Sequence, residues 1–418
     1  MLTIFHTADW HLGQSFFGFD RDHEHARFLE WLLHQLQSRQ PDALLIAGDV
    51  FDSINPSATA QRRYFSFLAQ AHAMLPSLQI VMTAGNHDAG ARLEAPAGLM
   101  EVLNISVVGT VSRLNTGEID LRKFLIPVKD RHDQVQAIVL AVPFLRPSDV
   151  PLIAGDADPY LDGIRELYRQ TTKAALELKS VVCPEGALIA MGHCHVSGGE
   201  ESRESERRLV IGGAEAVTTD YFPQDLDYVA LGHLHKAQHF RDGRIRYCGS
   251  PIPLSFAETS YRHEVIELVF NNHKPVEINH LRVPRTIDLL RIPEFGPEPL
   301  ENILPVLQLL PGDSSGNPDD APFLEVRVLE DQPDPRRRIR IEEALEGKFV
   351  RLVAIRPQNL IDTTQSNPVD PQFEHVDLKT ISPEEIFLST HLEKYGTAAD
   401  ESLLRAFREI LLQEEHSL

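Results

Sequence analysis

The sequence predicts a layered α/β fold, followed by a small α+β domain and by C-terminal helices. Short apolar runs of the kind that forms buried strands recur through residues 1–283, beginning with 2–8 and 43–47. A helical pattern with apolar residues at Phe28, Leu32 and Leu36 separates those first two runs. A β-α-β start that is repeated in this way is typical of layered α/β domains.

The later elements of this domain follow the same rule of an apolar run and then a polar loop. A second helical stretch covers 58–75 and leads into a strand at 78–82. Three further apolar runs predict strands at 137–142, 187–191 and 228–231.

The sequence changes character near Val283-Pro284, where we place the first domain boundary. Patterns beyond it predict a small β-α-β-α-β domain, in which the strand at 323–329 turns its charged residues outward. A capping-box start at Ser382 predicts a helix, and a second helix follows Gly396. The predicted elements of the small domain are strand 287–292, helix 299–310, strand 323–329, helix 337–345 and strand 349–355. The predicted domains are 1–283, 284–376 with a linker from 357, and 377–418.

Composition limits the classes of protein that this chain can represent. Its 418 residues carry 40 Lys plus Arg against 61 Asp plus Glu, a net charge of −21, which is the wrong sign for gripping nucleic acid unaided. Its three cysteines have no paired spacing, which indicates a reducing compartment. We find no signal peptide and no apolar run long enough for a membrane span. We therefore expect a cytoplasmic protein without a membrane partner.

Five short motifs follow predicted strands, at the sheet edge where open α/β folds place their ligands. A single His or Asp in such a place is more often an ordinary loop residue, but five together favour a metal centre. All of them offer oxygen or imidazole ligands and no thiolate, which suits Mn²⁺, Fe²⁺ or Zn²⁺. The motifs are Asp9-x-His11, Gly48-Asp49, Gly85-Asn86-His87-Asp88, Gly192-His193 and Gly232-His233-x-His235.

Two ions about 3.5 to 4 Å apart could clamp the attacking and leaving oxygens of a phosphoryl displacement. So close a pair needs a shared carboxylate, and Asp49 is the best candidate for this bridge. The predicted ligands are Asp9, His11 and His235 on one ion and Asn86, His193 and His233 on the other.

The order D-x-H, G-D, G-N-H-D, G-H and G-H-x-H resembles the signature of the calcineurin-like metallophosphoesterases, which implies a β-sandwich flanked by helices. That resemblance also implies that His87 is no ligand but acts near the leaving oxygen, with Asp88 orienting it. The segments DWHLGQ at 9–14, GDVFD at 48–52, PFLRP at 143–147 and YCGSPIPLSF at 247–256 are similar to the bacterial SbcD family of nuclease subunits.

Membership of that family implies a Mn²⁺-dependent DNA exonuclease and endonuclease in repair, recombination and replication. It also implies a homodimer that works with an SbcC-like coiled-coil ATPase. The chain has no nucleotide-binding G-x-x-x-x-G-K-[ST] loop of its own, so any ATP dependence must come from another polypeptide. The small domain would then cap the DNA, and the C-terminal helices would bind the ATPase. The alternatives are a phosphatase or phosphodiesterase on other substrates, and a scaffold without activity.

Three points stay open at the level of sequence. His195 lies two residues beyond His193 and is a second candidate for that ligand position. Asp52 stands where some relatives carry a His that is proposed to help catalysis, so we assign it no such role. Candidate phosphate contacts, each more easily explained as solvated surface, are Arg21, Arg62, Arg63 and Lys236.

Overall fold

The computed structural model describes residues 1–153, 158–202, 204–206, 216–312, 317–330, 332 and 334–359. Residues Met1–Gln358 form one compact unit. The helices predicted from Ser382 and after Gly396 lie outside the described residues. The described helices are α1 (Asp22–Arg39), α2 (Ala58–Met74), α3 (Gly90–Glu94), α4 (Ala97–Val102), α5 (Pro159–Val182), α6 (Leu300–Gln308) and α7 (Arg337–Ala344).

The described strands agree with the predicted runs to within about two residues at most ends, and further strands that were not predicted add to them, among them the long pair Glu264–Asn271 and Lys274–Arg282. The strands are β1 (Leu2–Thr7), β2 (Ser15–Phe16), β3 (Phe19–Asp20), β4 (Ala43–Ala47), β5 (Gln79–Thr83), β6 (Ile105–Val108), β7 (Leu125–Lys129), β8 (Val135–Ala141), β9 (Ala187–His193), β10 (Tyr228–Gly232), β11 (Gln238–Phe240), β12 (Ile245–Tyr247), β13 (Glu264–Asn271), β14 (Lys274–Arg282), β15 (Leu289–Ile292), β16 (Glu298–Pro299), β17 (Phe323–Glu330) and β18 (Arg351–Asn359).

Two six-stranded sheets form the body of the first domain. One sheet has the order β14-β13-β1-β4-β5-β6, and the other has the order β11-β12-β10-β9-β8-β7. The central pairs β1–β4, β4–β5, β8–β9 and β9–β10 are all parallel. Parallel strands end at the same edge of a sheet, so the motifs that follow them are collected at one edge.

Alternation along the strands decides which face each side chain covers. Ile4 and Leu45 join apolar residues of the second sheet, such as Ile189, in one buried cluster between the sheets. Their neighbours Phe5 and Leu44 point the other way and pack against α1 and α2. The predicted layered α/β fold, a sandwich with helices outside it, is confirmed.

The helices that cover the first sheet begin and end at recognisable signals. Helix α2 starts after Ser57, whose hydroxyl accepts a 3.1 Å hydrogen bond from the backbone N–H of Ala60. Helix α1 ends at Arg39 and is capped by Gln40, which adopts a left-handed conformation with φ 49°. Among the residues that the structure describes, no helix combines the length and apolar character that crossing a bilayer requires.

Residues beyond 284 build a third, smaller sheet in which β17 pairs with β15, β16 and β18. Helices α6 and α7 pack on it around a separate apolar cluster that contains Ile303 and Val326. The expectation that β17 turns all its charges outward is wrong for Glu325, which is buried. Its carboxylate is neutralised there by Arg291 at 2.6 Å and Arg356 at 3.4 Å.

Candidate metal centre

The five predicted motifs meet where the strands of both sheets end. Asp9, Asp49 and Asn86 follow β1, β4 and β5 of one sheet, whereas His193 ends β9 and His233 follows β10 of the other. The two sheets are linked at this edge because the Asp9 carboxylate accepts a 2.9 Å hydrogen bond from the backbone N–H of His233. Residues that are more than 220 positions apart in sequence therefore share one site.

The backbone of this edge is tightly turned. Asp9, His11, Asp49 and His233 all have positive φ, at 54°, 46°, 49° and 100°. Non-glycine residues rarely adopt such angles, and they are typical of sites where the surrounding structure enforces a local geometry. The strained backbone at these four residues thus sets the direction of their side chains.

Two groups of fully buried potential metal ligands lie next to each other, and a third group, His11, Asp52 and His87, in which only His11 is buried, adjoins them. The ligand atoms of Asp9, His11 and His235 lie within 4.8 Å of one another, and the same holds for Asp9, Asp49 and His193. Each of these five residues is buried. Buried carboxylates and imidazoles that converge on one small volume are the expected surroundings of a divalent cation.

Asp49 belongs to the second of these groups, and its carboxylate also faces His11 of the first. Its Oδ2 is 3.6 Å from Nε2 of His11 and 3.3 Å from Nε2 of His193. A single carboxylate oxygen therefore faces an imidazole from each group, as a bridge between two ions requires.

Asn86 and His233 lie beside His193 and extend the second group. Its Oδ1 lies 3.0 Å from Nε2 of His193 and 3.1 Å from Nδ1 of His233. The carbonyl oxygen of this amide and the two ring nitrogens point at one small volume, so all three could bind the same ion.

Hydrogen bonds to the far nitrogens fix the orientation of three imidazoles. Nδ1 of His193 lies 2.9 Å from the carbonyl oxygen of Ala47, and Nδ1 of His235 lies 2.9 Å from Oε1 of Glu258. Nδ1 of His11 lies 3.2 Å from Oδ1 of Asp52. These acceptors keep Nδ1 protonated and leave Nε2 as the metal-binding atom.

The Nε2 atom of His11 is in a state that suits a metal ligand. It is buried and has no hydrogen-bond partner among the described residues. A buried nitrogen without a partner is costly in an ordinary interior, but it is the required state of a metal ligand. The residues present therefore fit divalent ions.

Charges at the site are strongly perturbed. Burial raises the pKa of Asp9 to about 7, although nearby imidazoles counteract it. Burial opposes the protonation of His193, yet Asp49 and Asp9 outweigh it and raise the His193 pKa to about 9. Burial also pushes the Asp49 pKa upward, but the surrounding imidazoles hold it well below its usual range. Without a cation, bound protons balance the carboxylates, so a metal ion entering the site displaces protons.

His87 lies beside the two groups and is held by the loop after β4. Its Nδ1 is 2.8 Å from the carbonyl oxygen of Asp52, and its ring centroid is 4.8 Å from that of His11. That Asp88 orients His87 stays a prediction. The buried Asp88 carboxylate accepts backbone N–H bonds from Gly85 at 2.9 Å, Val50 at 3.1 Å and Phe51 at 2.9 Å, and so fixes the loops around the site.

His193 and His195 face different partners. The structure brings His193, and not His195, against Asp49. Nδ1 of His195 lies 3.0 Å from a carboxylate oxygen of Glu201. A bend at Cys194, directly after β9, lies between the two imidazoles that the sequence left as alternatives.

The four candidate phosphate contacts differ in their exposure and in their ion pairs. Arg21 is only 1% exposed and is paired with Glu24, so it cannot reach a DNA backbone. Arg63 pairs with Asp22 at 2.6 Å, and Lys236 pairs with Glu200. Arg62 is exposed.

Several carboxylates at this site received no role from the sequence, among them Glu206, which accepts a 2.6 Å hydrogen bond from the backbone N–H of His235. Asp52 contacts His11 through its carboxylate and His87 through its carbonyl, and Glu258 contacts His235. Asp52 carried a signal, since it follows Asp49 by three residues in the motif GDVFD. Glu258 lies in no motif and could be found only from the fold.

Comparisons with known proteins agree with this site. Residues 2–237 match the calcineurin-like phosphoesterase family, and residues 285–394 match a family described as the type 5 capsule protein repressor C-terminal domain. A Rhodobacter capsulatus protein named as the SbcD component of the nuclease SbcCD is 40% identical over 92% of this chain and 93% of its own length. Its namesakes from Escherichia coli K12 and Bacillus subtilis are 35% and 34% identical, over 68% and 63% of this chain and 69% and 65% of their own lengths.

Proposed function

The chain belongs to the calcineurin-like phosphoesterases and, within them, to the SbcD family of nuclease SbcCD components, and from that membership we propose that it is a metal-dependent DNA nuclease. It hydrolyses phosphodiester bonds, as an exonuclease on duplex ends and as an endonuclease on single strands and hairpins. The single observation that carries the proposal is the position of Asp49, whose Oδ2 faces His11 and His193 from two ligand groups.

The metal centre is proposed to hold two divalent ions, most suitably Mn²⁺, since its ligands are oxygens and imidazoles. Asp9, His11 and His235 would hold one ion, Asn86, His193 and His233 would hold the other, and Asp49 would join them. Bound ions of this kind activate water and stabilise charge on phosphoryl oxygens.

Residues of the chain itself supply orientation and protons. The carboxylates and imidazoles of the centre are fixed before substrate arrives, because their outer atoms are hydrogen-bonded to buried groups. The carbonyl oxygen of Asp52 accepts from Nδ1 of His87, which leaves Nε2 of His87 free to face the leaving oxygen. Asp88 supports this arrangement indirectly, through the backbone of the two loops that carry Asp49 and His87.

The family name supports a partner as well. Relatives are named as components of SbcCD, and we propose that this chain acts in the cytoplasm as a homodimer with an SbcC-like coiled-coil ATPase, in DNA repair, recombination and replication. Residues 284–376 would cap the DNA, and 377–418 would bind the ATPase. A partner that contributes basic surface would also compensate for the net charge of −21.

Substrate assays with the purified full-length protein test the proposed reaction. The protein is incubated with Mn²⁺ and with single-stranded DNA, hairpin DNA, blunt duplex DNA or a small phosphate ester, and His87→Ala serves as the inactive control. We expect cleavage of the DNA substrates that requires Mn²⁺ and His87. Strong activity confined to the small ester would instead assign the chain to the phosphatases of the same superfamily.

Co-purification tests the partner. The full-length chain and a chain that ends at residue 381 are each co-expressed with an SbcC-like ATPase. We expect a stable complex with the full-length chain only. Equal recovery of the ATPase with both chains would contradict the role of 377–418.

A further inference from the structure

Glu258 is a fully buried carboxylate directly behind the predicted ligand His235. It has no exposed surface, and its Oε1 lies 2.9 Å from Nδ1 of His235. Sequence motifs give no reason for an acid at this position. A buried carboxylate is expensive unless it is paired, so its presence there needs an explanation.

The Glu258 carboxylate is itself held rigidly. Its Oε2 accepts a 2.7 Å hydrogen bond from the backbone N–H of Leu254, and the hydroxyl of Ser205 donates to Oε1. The short 3₁₀ turn that carries Glu258 is anchored by Phe256, which is buried and packs on Phe16 with ring centroids 5.3 Å apart. Glu258 can therefore impose both position and tautomer on His235.

The two ligand groups differ in what stands behind their imidazoles. In the group of Asp9, His11 and His235, a carboxylate contacts Nδ1 of both histidines: Asp52 at 3.2 Å and Glu258 at 2.9 Å. In the other group, Nδ1 of His193 is hydrogen-bonded to a neutral backbone carbonyl at 2.9 Å, and the carboxylate of the ligand Asp9 is farther away, at 4.0 Å. A carboxylate acceptor increases the donor strength of the imidazole it contacts, more than a neutral acceptor does.

We propose that Glu258 is a positioning residue for His235 and that, together with Asp52, it makes the Asp9–His11–His235 group the tighter of the two metal positions. This inference rests on the proposed metal centre and adds the order in which its two positions bind metal. The first ion enters the group that is supported by carboxylates, and the second ion enters the group of Asn86, His193 and His233. The second position is consequently the one that exchanges more readily.

Titration with Mn²⁺ tests this inference without any nuclease assay. Binding to the metal-free full-length protein is followed by calorimetry and by the loss of the free Mn²⁺ signal in electron paramagnetic resonance. We expect two steps in the wild-type protein. In Glu258→Gln, the tighter step should weaken by about 10- to 100-fold, as is usual when an outer carboxylate is lost, while the weaker step keeps its affinity.

The chain offers a matched control. Glu264 is also a nearly buried carboxylate, and its Oε1 lies 2.6 Å from Nδ1 of His280, a histidine outside the metal centre. Glu264→Gln should leave both Mn²⁺ steps as they are in the wild type. Urea unfolding of both variants verifies that each is folded at the titration temperature.

The possible results separate the two proposals. Two wild-type steps that are both unchanged, or both weakened equally, in Glu258→Gln would overturn the inference and leave the metal centre standing. Selective weakening of the second step would overturn it as well. A wild-type protein that takes up no Mn²⁺ would contradict the metal centre itself.

Discussion

The backbone N–H of His87 donates a 2.8 Å hydrogen bond to Oδ1 of Asp49, the carboxylate whose other oxygen faces both ligand groups. The proposed proton donor is thus tied to the proposed bridge through its main chain and not through its side chain. Removing the imidazole should leave this bond intact, and the contributions of His87 to binding and to turnover can be separated.

We expect His87→Ala to lower kcat by about 10²- to 10⁴-fold, the usual effect of losing a general acid, while metal affinity stays unchanged. Nuclease assays with Mn²⁺ give the rate, and calorimetric Mn²⁺ titration gives the affinity. A variant that loses its metal together with its activity would show that His87 is a ligand.

Asp52→Ala should have the opposite effect to His87→Ala: it should weaken metal binding and largely preserve the turnover rate. The substitution removes the carboxylate that contacts Nδ1 of His11 but retains the carbonyl that contacts Nδ1 of His87. Mn²⁺ affinity should fall by about 10- to 100-fold, and the rate at saturating metal should recover most of its wild-type value. Asp120→Ala, which removes an ion pair with Arg122 outside the metal centre, is the control. Wild-type affinity in Asp52→Ala would contradict this role.

Gly85→Ala should damage the site sterically. A Cβ at this position would lie 2.1 Å from Oδ1 and 2.3 Å from the backbone nitrogen of Asp49, and neither atom can move away freely. We expect a loss of Mn²⁺ binding and a fall of about 1 to 3 kcal/mol in the free energy of unfolding.

Gly98→Ala provides the comparison for that substitution. A Cβ on Gly98 meets no atom within 4 Å, and the residue lies in α4. Alanine should therefore preserve metal binding and raise the unfolding free energy by up to about 1 kcal/mol. Equal effects of the two substitutions would rule out the contact with Asp49 as the cause.

His6 should make stability depend on pH. Burial lowers its pKa to about 3, and its ring is hydrogen-bonded to the hydroxyl of Tyr228 and the carbonyl of Leu231. The unfolded chain binds a proton near pH 6.5, whereas the folded chain does not, so stability is present above pH 6.5 and is lost as the pH falls towards 3. This one histidine should contribute a slope of about 1.4 kcal/mol per pH unit.

Urea unfolding in EDTA between about pH 6.5 and 4.5, within the window set by the two pKa values of His6, measures that slope. His6→Gln keeps a polar side chain but cannot take up the proton. The free energy of unfolding of this variant should therefore depend less steeply on pH, by the amount that corresponds to about one proton. Parallel curves for the wild type and the variant would mean that His6 does not cause the dependence.

The strands and the motif residues were predictable because their signals are local. Ala43–Ala47 is an uninterrupted apolar run, and Asp49 follows it within two residues. The edge at which such motifs collect follows from the parallel arrangement of the strands. Fold class and the set of converging residues could therefore be inferred before any coordinates.

The supporting contacts could not be predicted, because they join segments that no local pattern relates. Glu258 contacts a histidine 23 positions away, and Asp52 contacts one 41 positions away. The alternating pattern of β17 predicted an exposed Glu325, and this was wrong. Arginines on β15 and β18 neutralise its carboxylate, so the side chain can be buried. Pairing across the fold, and not the residue type, decides whether such an acid is buried.

The pairing of the first sheet also determines when the centre can appear during synthesis. Strand β1 is synthesised first but lies beside β13, where Leu2 pairs with Phe270. The Asp9 carboxylate likewise has its hydrogen-bond donor, the backbone N–H of His233, much later in the chain. A nascent chain displays Asp9, His11 and Asp49 long before their partners leave the ribosome. Hydrolytic capacity should thus arise only after β13 has been made, so products of translation that stop before this strand should be harmless to DNA.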